Sequence, residues 1–172
     1  PTGPLHVGHC RGAIIGDVIS NLLIFNKHKV TREYYVNDFG NQIQLFTKSV
    51  YLRICEILYN KEFPINNEDL YPGEYLKEIA KKIYDIDGDK WVTKNNEEKN
   101  NYFKSFAVNS LLTEIKNDLK LINVHFDIFT NETYIVKNKI IDNLFEILKQ
   151  KKLIYQGVLP KPKGDDSEWE PR

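Results

Sequence analysis

The opening of this chain constrains its fold more than any other feature: residues 1–36 read as a turn, a helix and a strand. Pro1, Gly3 and Pro4 stop a helix from starting early. From Val7 onward, Ile14, Ile15, Val18, Ile19, Leu22 and Leu23 recur at three- and four-residue spacing. That spacing predicts one helix with a broad apolar face. It should end near Asn26-Lys27-His28, where cationic groups suit a helix C-terminus. Lys29 to Val36 (KVTREYYV) is rich in β-branched and aromatic residues and predicts a short strand. A glycine-bearing turn feeding a helix, with a strand about 20 residues later, is what a βαβ unit needs. The expected class is therefore α/β, and the strand that should precede the turn would lie upstream of Pro1.

Beyond this unit the pattern is mostly helical. After a loop at Asn37-Asp38-Phe39-Gly40, a helix is expected over 41–59, with Ile43, Phe46, Val50, Ile54 and Ile57 on one face. Residues 60–73 contain Pro64, Pro72 and Gly73 and read as a connection. A helix over 74–84 and a polar, Asn-rich loop over 85–101 follow. The clearest periodicity runs through 102–122 (Phe103, Ala107, Leu111, Ile115, Leu119, Ile122). Residues 124–129 (VHFDIF) alternate like a strand. Residues 134–150 predict a helix that turns Ile140, Ile141, Leu144 and Leu148 inward, and from Gly157 on a polar tail holds three prolines.

Composition removes several alternatives. The 172 residues include 41% hydrophobic and 12% aromatic side chains, enough for a core, so wholesale disorder is excluded. The 24 basic and 24 acidic residues cancel, so no bulk attraction to nucleic acid or an anionic membrane is built in. No uninterrupted apolar run approaches the ~18–20 residues of a spanning helix. Arg is scarce, 4 against 20 Lys, so bidentate phosphate clamps will be few. Cys10 and Cys55 make no disulfide framework, and a reducing cytoplasmic compartment is the expectation. The chain has no Met and opens on Pro-Thr-Gly-Pro, so both ends are expected to continue into a longer protein.

The informative segment for chemistry is Pro1-Thr2-Gly3-Pro4-Leu5-His6-Val7-Gly8-His9. Two imidazoles three residues apart at a helix start share one face. First-turn N–H groups have no intrahelical partners, so helix terminus, dipole and two ring N–H groups form an anion site suited to a polyphosphate. Such a site stabilises a phosphoryl transition state rather than attacking it. An isolated H-x-x-H is more often an ordinary surface or core pair, but the Gly and Pro upstream and the apolar helix downstream supply the context that such a pair lacks. A metal site from His6, His9 and Cys10 is the weaker reading, because no second ligand cluster exists. Asp85-Ile86-Asp87-Gly88-Asp89 has its glycine at the wrong offset for a calcium loop and reads as a turn. Lys149, Lys151 and Lys152 read as helix-end compensation, and Trp91 and Trp169 as packing or interface residues.

The same segment resembles the "HIGH" signature of class I aminoacyl-tRNA synthetases. Its continuation, His9-Cys10-Arg11-Gly12-Ala13-Ile14-Ile15-Gly16-Asp17, is similar to the arginyl branch, as is Thr31-Arg32-Glu33-Tyr34-Tyr35-Val36-Asn37-Asp38-Phe39-Gly40-Asn41-Gln42. Tyr71-Pro72-Gly73-Glu74-Tyr75, Val124-His125-Phe126-Asp127 and Gly157-Val158-Leu159-Pro160 resemble later, weaker blocks.

The resemblance implies a partial Rossmann-like catalytic domain with a helical insertion. The expected parts are a nucleotide-binding half over 1–59, a mainly helical insertion over 60–123, a strand and helix over 124–156, and a tail over 157–172. It implies ATP-dependent ligation of arginine to tRNA through arginyl-adenylate, with magnesium accompanying the ATP, in a cytoplasmic monomer. His6 and His9 would hold the ATP phosphates and stabilise charge as pyrophosphate leaves. Gly8 would leave room for adenosine, and Thr2 and Gly3 would shape the loop over the nucleotide. Tyr35, Asp38 and Gln42 would border the arginine. A guanidinium wants a carboxylate partner, so the chemistry of Asp38 agrees; the rival reading makes Asp38 an N-cap for the helix at Asn41. Arg11 is expected to pair with Asp17 or reach phosphate. The family's preceding strand, its "KMSKS" loop (Lys48-Ser49 sits in the wrong context) and its anticodon-binding domain have no counterpart here. Another class I synthetase or a small nucleotidyltransferase is the alternative, against which Asn37-Asp38-Phe39-Gly40-Asn41-Gln42 argues, and the isolated polypeptide is expected to be inactive.

Overall fold

The computed structural model describes residues 2–91, 96–155 and 157. The chain divides into two compact units, Pro1–Thr133 and Tyr134–Arg172. The first holds α1 (Val7–Phe25), β1 (Glu33–Val36), α2 (Asn41–Tyr59), α3 (Tyr75–Asp87), α4 (Asn96–Leu121) and β2 (Ile128–Asn131). α5 (Glu132–Lys137) begins at its end, and α6 (Ile140–Gln150) belongs to the second unit.

β1 and β2 pair in parallel, with Glu33 opposite Ile128 and Val36 opposite Asn131. Parallel strands need a long crossover, and α2, α3 and α4 supply it. These three helices bury one core: Ile43, Phe46, Val50 and Ile54 from α2, Leu76, Ile79, Ala80 and Ile83 from α3, and Phe103, Ala107, Val108 and Leu111 from α4. Truncating Phe46 or Phe103 to Ala would cost about 3–5 kcal/mol, the range for a large buried aromatic. A second cluster, Ile115, Leu119 and Val124 with Leu5, Ala13, Tyr34 and Phe126, ties the far end of α4 to α1 and β1.

The helices at 7–25 and 41–59 stand where their periodicity puts them, whereas both strands are shorter than expected. Lys29–Arg32 stays outside β1 because β2 offers ladder partners only from Ile128 onward. The Asp127 carboxylate takes the Arg32 N–H instead, at 2.7 Å. Val124 and Phe126 serve as core side chains rather than strand residues. The expected loop over 85–101 is mostly helix: α3 runs to Asp87 and α4 starts at Asn96, where Glu97 and Glu98 suit the positive end of a helix dipole. The expected helix over 134–150 breaks, because Lys139 adopts a left-handed backbone (φ +54) between α5 and α6.

Two apolar faces are not turned inward. α1 has no buried residue, and Leu22 and Phe25 are 57% and 80% exposed. Ile140, Ile141 and Leu144 of α6 are likewise exposed. By length and composition α1 could cross a membrane, although Arg11 and Asp17 interrupt its apolar residues. The core helix of a soluble domain meets the same test, so the property is weak evidence of any membrane.

Candidate functional site

His6 is the N-cap of α1. Its backbone is extended (φ −123, ψ 171), which frees its ring to fold back over the first turn. Nδ1 of His6 accepts the Gly8 N–H at 3.1 Å, and Nδ1 of His9 accepts the His6 N–H at 3.3 Å. The two imidazoles thus form a reciprocal capping box of a kind usually built from Ser or Thr with Glu. With Nδ1 accepting, Nε2 is the ring nitrogen that carries a proton, so each ring keeps an N–H donor for a ligand. The rings stack with centroids 3.7 Å apart.

Gly8 has a local reason to be glycine. A Cβ there would stand 3.0 Å from Cε1 and 3.1 Å from Nδ1 of the His6 ring, tight enough to displace the cap. His9 and Gly8 line a cleft of about 590 Å³ that runs along α1 past Gly12, Gly16 and Asp17 to Arg32 and Tyr34. Both rings are exposed. The site can therefore present two ring N–H donors to an anion at the positive end of the α1 dipole.

Asp17 does not pair with Arg11. Its Oδ1 lies 3.2 Å from Nε of Arg32, and Asn21 completes a triad, donating to Asp17 Oδ2 (2.8 Å) and accepting from Arg32 Nη2 (2.6 Å). Arg32 is planar and forked, so it can serve both partners at once, whereas Arg11 shares a helix with Asp17 at the unfavourable six-residue separation.

At the other end of β1, Asp38 is neither N-cap nor an open carboxylate. Gly40 (φ +88) occupies the N-cap position of α2 without a side-chain cap. Asp38 is only 8% exposed; Oδ1 accepts the Thr133 N–H at 2.8 Å and Oδ2 accepts Asn131 Nδ2 at 2.9 Å. The Thr133 hydroxyl donates to the Asp38 carbonyl. Burial pushes the Asp38 carboxyl up, but these hydrogen bonds and the Lys104 charge outweigh it and hold it below the usual range. Asp38 thereby ties the ends of β1 and β2 together. Tyr35 is exposed beside Glu132; partial desolvation, then the charge of and a hydrogen bond to Glu132, raise its phenol. Gln42 is exposed in the first turn of α2. None of Tyr35, Asp38 and Gln42 is among the residues lining the cleft that holds His9.

The structure also reveals what patterning missed. Ser49 is fully buried, donating to Leu45 O (2.8 Å) and accepting the Tyr71 N–H (3.0 Å). Arg53 is buried too, its Nη1 on Glu56 (2.9 Å), its Nη2 on Pro72 O (2.7 Å) and its guanidinium over the Phe63 ring. Tyr75 reaches the opening loop, donating its hydroxyl to Thr2 O at 2.6 Å. Partners separated by 73 residues leave no local signal, although the Tyr71–Tyr75 block marks the place. Asp87 accepts the Trp91 indole N–H (2.8 Å), so the Asp-rich stretch ends a helix and Trp91 packs, stacked on Tyr102 at 4.1 Å. Lys149 pairs with Glu146, whereas Trp169 and Val158–Pro160 lie outside the described residues.

The chain is similar to known proteins over nearly all of its length. Residues 2–157 match the family described as tRNA synthetases class I (R), catalytic domain. The chain is 54% identical over 98% of its length to an arginine–tRNA ligase of Pelagibacter ubique, and 45% identical over its whole length to one of Anaplasma marginale. It spans 29% of the length of each. A protein of Campylobacter jejuni assigned as an arginyl-tRNA synthetase superposes with a TM-score of 0.77 at 32% identity, over 91% of this chain and 34% of that one. Its mixture of helices and parallel sheet is that of the class I synthetase catalytic domain. On a match that covers all but its last residues and its first, the chain belongs to the class I tRNA synthetase (R) catalytic-domain family.

Proposed function

We propose that this chain is part of an arginine–tRNA ligase and forms one wall of its ATP site. The observation that carries the reading is the His6–His9 capping box, which occupies both Nδ1 atoms and leaves each Nε2–H as a donor, with His9 lining an open cleft. In the proposed reaction the arginine carboxylate attacks the α-phosphorus of ATP. The new acyl–phosphate bond forms as the α–β anhydride bond breaks and pyrophosphate departs. The arginyl group then passes to the terminal ribose of tRNA, releasing AMP. His6 and His9 would take up the charge that grows on the leaving phosphates, while Thr2 and Gly3 shape the loop over the nucleotide.

Magnesium belongs to the ATP as substrate in this reading. Among the described residues no three His, Cys, Asp or Glu side chains cluster as metal ligands, so the ion would be held by phosphate oxygens and water. Tyr35 and Gln42 would border the arginine, with Asp38 holding the edge of the sheet behind them. A cytoplasmic monomer acting on soluble tRNA fits the proposed activity. The test is arginine-dependent ATP–pyrophosphate exchange by the full-length protein carrying this chain, with tRNA present and each amino acid tried in turn. Exchange with arginine alone supports the reading; exchange with a different amino acid, or none, sinks it.

A further inference from the structure

The turn before α3 is tied to two buried polar side chains. The Tyr71 N–H is fixed on the buried Ser49, and the Pro72 carbonyl on the buried Arg53. Gly73 follows, and a Cβ on it would stand 2.2 Å from Cε1 and 2.6 Å from Cδ1 of the Tyr75 ring. Only glycine lets that ring fold back over the turn. Tyr75 then spans to the opening loop, where its hydroxyl donates to Thr2 O at 2.6 Å and lies 3.5 Å from where a Gly3 Cβ would be. Burial, then the neighbouring Tyr71, pushes its phenol up to about 12, so it stays a donor throughout the neutral range.

We propose that Tyr75 is a positioning residue for nucleotide binding: its hydroxyl holds the Thr2-Gly3 loop in the conformation that ATP requires. The proposal rests on the reading of Thr2 and Gly3 as nucleotide-loop residues given above. It assigns a role to α3, which belongs to the expected helical insertion over 60–123 and carries no reacting group. Ser49 and Arg53 set the turn, the turn sets Tyr75, and Tyr75 sets the loop four residues before His6.

Tyr75→Phe removes one oxygen and leaves the packing ring, so it isolates the tether. In the full-length protein the KM for ATP in arginine-dependent exchange should rise about three- to tenfold, the worth of one hydrogen bond. The KM for arginine should stay within about twofold, and the backbone amides of residues 5–9 should exchange with deuterium measurably faster. Tyr71→Phe, which keeps its backbone N–H on Ser49, should leave both constants unchanged. An ATP KM equal to that of the unaltered protein overturns the proposal, as does an equal rise in both KM values with a lowered melting temperature. If the unaltered protein shows no arginine-dependent exchange, the functional reading itself has failed and the nucleotide role of Tyr75 falls with it. Unchanged amide exchange in an active enzyme removes the tether alone.

Discussion

The imidazoles of His6 and His9 lie face to face at the start of α1, each with its Nδ1 on a backbone N–H and its Nε2 left over. One pair of side chains therefore serves two purposes, finishing a helix and presenting donors, and the two can be separated by mutation.

His6→Asn retains a good N-cap side chain but loses the outward N–H donor. It should leave the melting temperature of the full-length protein nearly unchanged while slowing adenylate formation by roughly 10²–10³, the range for one lost transition-state donor. His6→Ala should slow the reaction by a similar amount and additionally cost about 0.5–2 kcal/mol of stability. Pyrophosphate exchange and thermal melts on both variants check this. Exchange within a fewfold of the unaltered protein would remove His6 from the chemistry.

Gly8→Ala probes the same cap from the other side. The added methyl meets the His6 ring at 3.0–3.1 Å, so the ring must shift. The helix itself should gain slightly, because Ala is the better helix former by about 1 kcal/mol. The expected signature is thus divergent: undiminished helicity by circular dichroism with a raised KM for ATP. Parallel loss of helicity and activity would show that the cap tolerates no movement at all.

The Arg32–Asp17–Asn21 triad is the polar link between α1, which buries no residue, and the strand beside it. The Arg32 and Asp17 side chains are 20% and 17% exposed, so their attraction is only partly screened. Arg32→Gln or Asp17→Asn should each cost about 1–2 kcal/mol in urea unfolding. A double-mutant cycle should return a coupling of at least about 0.5 kcal/mol. Strict additivity would mean that the link contributes nothing of its own.

What could be read from residues alone follows the range of each interaction. Ile43, Phe46 and Val50 announce α2 because helical spacing is local, and His6, Gly8 and His9 announce an anion site because the motif is contiguous. Arg32 could not be matched to Asp17 in this way: Arg11 was nearer in sequence, and only the packing of α1 beside β1 brings Arg32 within reach. Asp38 was similarly opaque, since its partners Asn131 and Thr133 arrive after a crossover of three helices. The inward face expected for the helix over 134–150 failed for another reason, and the apolar face of α1 is likewise uncovered. Periodicity reports which face is apolar and says nothing of whether a partner covers it.

The acid limit of stability follows from two carboxylates. Asp38 is held below its ordinary value of 3.8 by Thr133, Asn131 and Lys104, against the opposing effect of burial. Asp87 is held below it by hydrogen bonds from Tyr102, Trp91 and Lys90. A depressed folded-state pKa favours the fold while the group is ionised. That contribution is fully present above the unfolded value and disappears as pH falls through the folded one. Urea midpoints should therefore drop as pH is lowered from about 4, and Asp38→Asn should flatten part of that dependence while lowering the midpoint at pH 7. An unchanged slope in Asp38→Asn would show that its hydrogen bonds do not distinguish the charged from the neutral carboxyl.

The uncovered face of α1 predicts how the 172-residue chain behaves by itself. Ile15, Val18, Ile19, Leu22 and Phe25 are each at least half exposed and recur on one side of the helix. Apolar side chains gathered on one exposed helix face favour association with another surface. The isolated chain should bind an apolar dye and self-associate at micromolar concentration in sedimentation velocity. Ile15→Lys with Leu22→Glu should suppress both without loss of helicity, because neither side chain is buried. The chain spans only 29% of the length of its Pelagibacter relative, so the same pair tests what the rest of such a protein does to this face. If further sheet covers α1 there, the two charges would be buried and should cost about 2–3 kcal/mol or more in the full-length protein. Equal tolerance in both contexts would leave α1 a solvent-facing helix, and the cleft beside His9 would then lack the wall that a closed nucleotide site requires.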